Sequence, residues 1–333
     1  MRRSAPWTLV LALALAVSGC SQKPAPAPAA PVTRAATTGA ASAAPRPPTD
    51  ASRVAGIAFP ESEEHAVAPP TGPQPAGRPV LTFLVYGDTR HNPQVHRQVV
   101  DLLLRQPGAA FACLVGDLVD DGSSTNLWQE CLSVIQPVRA RMPVYPALGN
   151  HDLPRSAAAP AFEWLGAPRQ SLAREVFYYG FAYGPVRVAV LDSPALLDGD
   201  AVQLAWLRSF MAPGGAPLKV ALLHHPLWSP GPHGASAELR KSLLPALRDS
   251  GVSLVFAGHD HMYYRTVRDG ITQIVTAGGG APLYDSTGKD MLPGDVVAKA
   301  YHVCRIDVYP ALLTITALGL DGRVIDRVQV WAR

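Results

Sequence analysis

"AAFACLVGDLVDDG", residues 109–122, is a run of apolar side chains stopped by a glycine and followed at once by acids. Seven residues without a charge (109–115) read as a strand buried on both faces, the kind found in parallel sheets covered by other elements. Gly116 lets the backbone turn sharply as it leaves the strand, so Asp117 stands at the strand's carboxyl end.

The same arrangement recurs on either side. "LTFLVY" (81–86) runs into Gly87-Asp88, and "VYPAL" (144–148) into Gly149-Asn150-His151-Asp152. Further on, "LKVALL" (218–223) meets His224-His225-Pro226, and "VSLVFA" (252–257) meets "GHDHMYYR" (258–265). Helical apolar periodicity fills the intervals 93–106, 125–135, 200–210 and 235–251. Strands alternating with helices predict largely parallel pairing. The carboxyl ends of the strands then gather on one rim, where open α/β sheets place their ligands. Residues 175–192 read instead as two strands about a Gly-Pro turn, and the stretch from 300 alternates as antiparallel strands do. The expected fold is α/β, with two packed mixed β-sheets flanked by helices in a single domain over residues 79–333. Gly278-Gly279-Gly280 is expected to make a tight turn out of the strand before it.

Five strand ends thus deliver Asp, Asp, Asn and His, His, and a His pair to one place. Six of the ten histidines, at 151, 224, 225, 233, 259 and 261, fall in these motifs or the loop beside them. Carboxylate oxygen and imidazole nitrogen without thiolate suit Zn, Mn or Fe. A carboxylate bridging two such cations lowers the pKa of a shared water and clamps the oxygens of an in-line displacement, which is the chemistry of phosphoester hydrolysis.

The series GD, GDLVDDG, GNHD, H and GHDH, in that order, resembles the calcineurin-like metallophosphoesterases over roughly residues 80–265. "GHDHMYYR" and the GNHD motif are most similar to the purple acid phosphatases and their relatives within that family. The resemblance implies a dinuclear centre of divalent or trivalent Fe, Mn or Zn with Asp117 as bridging carboxylate. It implies Asp88 and His261 on one metal, and Asn150, His224 and His259 on the other. His224 takes precedence over His225 because the family's ligand in this loop precedes x-Pro. The resemblance also implies His151 as proton donor or charge stabiliser at the leaving group. Asp152 either fixes the tautomer of His151 or caps the turn that follows. His233, in "SPGPHG" (229–234), either matches by spacing a second substrate-facing histidine of the purple acid phosphatases or is an exposed loop histidine.

At one position this chain departs from the family. Where many members carry a ligating histidine two residues after the first aspartate, it has Arg90, whose guanidinium stays protonated and cannot ligate. Purple acid phosphatases use a tyrosine three residues after the bridging aspartate, and here that position is Asp120. Two readings follow. Asp120 completes the shell of the first metal and Arg90 faces the substrate phosphate, or Arg90 pairs with Asp120 or Asp121 and the first metal is weakly held. His91 lies one residue out of register with the missing ligand.

The chain also carries an address. Arg2-Arg3, the apolar stretch "WTLVLALALAV" (7–17) and Ser18-Gly19-Cys20 make a secretory signal too short to span a bilayer. Val17-Ser18-Gly19-Cys20 resembles the lipobox of bacterial lipoproteins, which implies cleavage after residue 19 and lipid on Cys20. Residues 20–78 are rich in Pro and Ala and almost free of aromatics, and read as a disordered tether, within which 53–70 leaves open a locally packed stretch. The expected location is the bacterial cell envelope, anchored in the outer membrane or at the cell surface.

Charge argues against nucleic acid as a partner. Residues 1–78 hold seven of the 29 Lys and Arg and four of the 26 Asp and Glu, leaving 22 of each for the domain. A formally neutral domain lacks the cationic footprint of a nucleic-acid binder. A phosphoester substrate and, through Cys20, a membrane are the expected partners. Cys113 and Cys131 leave two possibilities open, a disulfide or buried free thiols. A second reading of the whole chain is a lipid-anchored binding protein whose first metal site has degenerated around Arg90.

Overall fold

The computed structural model describes residues 75, 77–167, 176–212 and 216–333. The signal, Cys20 and the tether as far as residue 74 lie outside the described residues. No helix among the described residues is long and apolar enough to cross a membrane.

The chain opens with β1 (Leu81–Tyr86), α1 (Pro93–Leu104), β2 (Ala109–Leu114), α2 (Thr125–Arg139), β3 (Val144–Pro146) and α3 (Arg155–Leu165). After these come β4 (Tyr179–Tyr183), β5 (Val186–Val190), α4 (Ser193–Leu197), α5 (Ala201–Phe210), β6 (Leu218–Leu222), α6 (Ala237–Asp249) and β7 (Leu254–Ala257). The rest is strand: β8 (Tyr263–Arg268), β9 (Ile271–Thr276), β10 (Val296–Ala298), β11 (His302–Tyr309), β12 (Leu312–Gly319) and β13 (Val324–Trp331). Helix starts follow local chemistry. Asn92, Ser124 and Ser236 accept from the backbone N–H three residues on, satisfying donors that the first turn leaves free.

Two mixed sheets result, with strand orders β13-β12-β11-β1-β2-β3 and β10-β8-β9-β7-β6-β5-β4. β1, β2 and β3 run parallel, as do β5, β6, β7 and β9, while β11, β12 and β13 add antiparallel to the edge of β1. The period of two along each strand divides the cores. Val186, Val188, Val190, Leu254 and Phe256 join the larger core with residues of the first sheet, such as Phe83 and Phe111. Ala189, Leu191, Val255 and Ala257, one residue out of phase, pack with Leu207, Leu243 and Leu247 of α5 and α6. Arg265 and Tyr263 of β8 reach Asp326 of β13, at 2.5 and 2.7 Å from its Oδ2, so a buried carboxylate links the sheets.

The expected α/β architecture of two mixed sheets is observed, and strands 179–183 and 186–190 do flank a Gly-Pro turn. Two differences stand out. Helix α2 runs on to Arg139, four residues past the expected end, because Val138 still faces the core and is wholly buried. α3 was not anticipated. Of the two possibilities left open for Cys113 and Cys131, the structure has the buried free thiols, as it does for Cys304. The chain bends at the glycine run without positive φ at any of its three residues. Its glycines allow close approach: a Cβ on Gly279 would lie 2.3 Å from the Gly87 carbonyl oxygen, which accepts the Gly279 N–H at 2.8 Å.

Candidate metal centre

Asp88 follows β1, Asp117 follows β2 and Asn150 follows β3, while His224 follows β6 and His259 and His261 follow β7. Each sheet therefore supplies half the cluster. Three of these residues, Asp88 (φ 57°), Asp117 (φ 51°) and His259 (φ 76°), hold left-handed backbone that disfavours a Cβ. Such conformations persist where the surroundings over-determine them, and they concentrate at functional sites. Gly149 shows the crowding, since a Cβ there would fall 2.2 Å from Asp117 Oδ1 and 2.3 Å from its backbone nitrogen.

Two sets of potential ligand atoms result. In the first, Asp117 Oδ1, Asn150 Oδ1 and His259 Nδ1 lie 3.3, 3.1 and 3.3 Å from His224 Nε2. His224 Nδ1 donates to the Val115 carbonyl at 2.9 Å, so in the neutral ring the Nε2 lone pair faces this set. Burial holds the His224 and His259 pKa values below the ordinary imidazole range, leaving both rings neutral. A lone pair confronted by carboxylate and amide oxygens is an arrangement that a cation resolves.

The second set is Asp88, Asp117 and His261, all buried. Asp88 Oδ2 has no hydrogen-bond partner despite full burial, and burial with the nearby Asp117 pushes its pKa well above the usual carboxylate range. His261 Nδ1 donates to the Pro282 carbonyl at 2.8 Å, which turns Nε2 toward Asp88 Oδ1 at 3.6 Å. Burial lowers this imidazole to about 4. Burial works to raise the Asp117 pKa, but the His151 N–H and the Arg90 guanidinium work against it, and it stays below the usual value. The orphaned oxygen and the facing lone pairs fit both sets to metal ions.

Asp120 does not join either set. Its carboxylate accepts from Arg90 Nη1 at 3.1 Å, lies 3.0 Å from His91 Nε2, and is 41% exposed. Arg90 therefore pairs with Asp120, as the second of the two sequence readings has it, and Asp120 stands outside the Asp88, Asp117 and His261 group. The reason is the left-handed turn at His91, φ 68°, which packs its ring with the guanidinium onto the same carboxylate. Arg90 also reaches inward. Its Nε is 3.3 Å from Asp117 Oδ2 and its Nη2 is 3.3 Å from His261 Nε2.

His151 stands at the mouth, half-buried, its N–H donated to Asp117 Oδ1 at 3.0 Å and its Nδ1 donating to the Asp120 carbonyl at 2.8 Å. The tautomer is therefore set by a backbone carbonyl rather than by Asp152. That carboxylate accepts instead from the N–H groups of Leu118, Val119 and Gly149 at 2.8, 3.2 and 2.8 Å. Asp152 thus fastens the second motif loop to the third. Burial and Asp117 nevertheless push its pKa to about 7.

His233 does reach the cluster, its ring 4.7 Å from that of His259. The short Ser229–Asp260 hydrogen bond and the His233 N–H on Asp260 Oδ1 hold its loop. Two further residues have no individual role in the motif reading. Ser193 Oγ accepts the N–H groups of His224 and His225, so its hydroxyl donates to His225 Nδ1 at 3.0 Å and leaves Nε2–H of that ring as a donor beside His259. Tyr284 stacks on His261 at 4.2 Å, with its hydroxyl 3.4 Å from His233 Nε2. It comes from "LYDSTGKD" (283–290), which sequence marks as a pocket-shaping loop by position alone; no local pattern singles out the tyrosine.

Residues 81–263 match the family model of calcineurin-like phosphoesterases. Among curated proteins, the chain is 40% identical over 234 residues to purple acid phosphatase 3 of Arabidopsis thaliana, covering 60% of this chain and 63% of that protein. It is 32% identical over 147 residues to tartrate-resistant acid phosphatase type 5 of Oryctolagus cuniculus, covering 42% and 45%. The chain thus spans less than two thirds of the length of these relatives. The structure of purple acid phosphatase PPD1 from yellow lupin seeds superposes with a TM-score of 0.65 at 18% identity, over 78% of this chain and 55% of that one, a likeness of fold.

Proposed function

This chain belongs to the calcineurin-like phosphoesterase family, and on that footing we propose that it is a metal-dependent phosphohydrolase held at the bacterial cell envelope by lipid on Cys20. The observation that carries the reading is the Asp117 carboxylate. Its Oδ1 lies 3.3 Å from His224 Nε2, and the same carboxylate also belongs to the buried group with Asp88 and His261, as a ligand shared by two cations would.

Asn150, His224, His259 and Asp117 would hold one ion, and Asp88, His261 and Asp117 the other, among Fe, Mn and Zn. Bound there, such ions act as Lewis acids on the phosphoryl oxygens and on an attacking water. The chain's own side chains supply the remainder. His151, with its Nδ1 proton committed to the Asp120 carbonyl, presents Nε2 to the leaving alkoxide and gives it a proton from the imidazolium form of the ring. His233 and the Nε2–H of His225 line the same opening as donors to phosphate oxygen. Asp152 acts on none of these atoms; it keeps the second and third motif loops in register.

Metal content and p-nitrophenyl phosphate turnover, measured together on the purified chain after Mn, Fe or Zn is supplied, test the proposal. Bound metal with turnover, both lost in Asp117→Asn, is the expected result. A chain that binds no metal and turns nothing over would sink it. Bound metal without turnover on any ester favours the second reading, a lipid-anchored binding protein, which the pairing of Arg90 with Asp120 supports. Release of the protein from the membrane fraction on Cys20→Ala checks the anchor.

A further inference from the structure

Arg90 is the one cation that the described residues place among the ligand atoms, and it is 9% exposed. Its three nitrogens meet four residues, with Nη1 against His91 Nε2 as well as Asp120. Nη1 donates to Asp120 Oδ1 at 3.1 Å, Nη2 lies 3.3 Å from His261 Nε2, and Nε lies 3.3 Å from Asp117 Oδ2. The His261 contact has a defined sense. Its Nδ1 proton is given to Pro282, so Nε2 accepts from the guanidinium. The Nε contact with Asp117 is an ion pair outside hydrogen-bond alignment, and Nε has no other partner. Asp117 is therefore already a bridge: Oδ1 faces His224 Nε2 at 3.3 Å, and Oδ2 faces a positive charge.

We propose that the Arg90 guanidinium occupies the first cation position, so that the centre loads in two unequal steps. A metal ion enters the His224, His259, Asn150 and Asp117 set first, and a second enters the Asp88 and His261 set only by driving Arg90 away from Asp117 and His261. This rests on the metal-binding reading above. Two features make the displacement costly. A guanidinium cannot be deprotonated to make room, and it contacts two of the three ligands that the incoming ion needs. The third, Asp88, keeps an oxygen without a donor, so the position retains a ligand for the second ion. Asp120, 41% exposed and already bonded to Nη1, gives the displaced arginine an anchor at the rim, beside His91 and His151.

The test is calorimetric titration of the metal-stripped chain with Zn²⁺ and, separately, Mn²⁺, with bound metal counted by mass spectrometry. Wild type is expected to take one equivalent tightly and a second at least tenfold more weakly. In Arg90→Gln, and in Arg90→Met as a second uncharged variant, the second equivalent is expected to tighten at least tenfold, bringing the steps together. Two equally tight equivalents in wild type would overturn the proposal while leaving the metal centre intact. A second step that stays weak or absent in both variants would overturn it as well, because Arg90 would not then be the obstacle. No binding in any form would remove both this inference and the reading it rests on. Turnover enters none of these outcomes, so a failure of the hydrolase proposal is read separately.

Discussion

Asp88, Asp117 and His259 each bear a Cβ on left-handed backbone, and each stands where a buried strand gives way to a loop. Any one would be an isolated oddity. Together they show the loops held in shape by their neighbours, with Gly149 and Gly258 admitting the carboxylates that a Cβ would exclude. Gly149→Ala is accordingly expected to cost about 1–3 kcal/mol and to loosen metal retention, because the nearest obstacle includes the Asp117 backbone, which cannot step aside. Thermal melts and metal content after gel filtration measure both effects. His151 offers a sharper test of chemistry. If it protonates the leaving group, His151→Asn slows hydrolysis of an alkyl phosphate by about 10²- to 10⁴-fold and barely affects p-nitrophenyl phosphate, whose leaving group needs no proton. Equal losses on both esters would assign it to binding.

Among the elements, β8 and β13 carry a contact that local pattern does not announce. Asp326 is 1% exposed and holds Tyr263 and Arg265 across from the other sheet. Breaking a buried pair from one side leaves a charge uncompensated, so Asp326→Ala is expected to destabilise by roughly 3–5 kcal/mol, read from urea unfolding. At the start of β11, His302 is wholly buried, donating to the Ala300 carbonyl at 2.8 Å, with Thr276 Oγ1 3.1 Å from its other nitrogen. Burial pushes this imidazole down to about 4. A group lowered in the fold contributes stability above its unfolded pKa, near 6.5, and loses it as pH falls through that window toward 4. The contribution is on the order of 3 kcal/mol, so wild-type melting temperature should drop across this range and His302→Gln should flatten the drop. The five strands that end at the cluster were legible because an apolar run and its polar terminus are neighbours in sequence. The Asp326 link and α3 were not, the first because its partners lie some 60 residues apart.

At the scale of the molecule, the candidate ligands divide between the sheets: Asp88, Asp117 and Asn150 from one, His224, His259 and His261 from the other. A metal ion held by both sets ties the sheets at their rim and binds the folded chain alone. At a hundred times its Kd it adds about 2.7 kcal/mol, or roughly 5–10 °C in melting temperature for a domain of this size. Scanning calorimetry with and without EDTA checks this; an unchanged transition would mean that the ligands do not act across the sheets. By itself the sequence determined the α/β class, the rim of strand ends and which candidate ligands gather there, because each of those depends on residues adjacent in the chain. Where Arg90 points, what Asp120 and Asp152 bond to, and that Tyr284 closes over His261 were decided by tertiary structure alone. Each is a side chain choosing among partners on different loops, and that choice depends on how the two sheets bring those loops together.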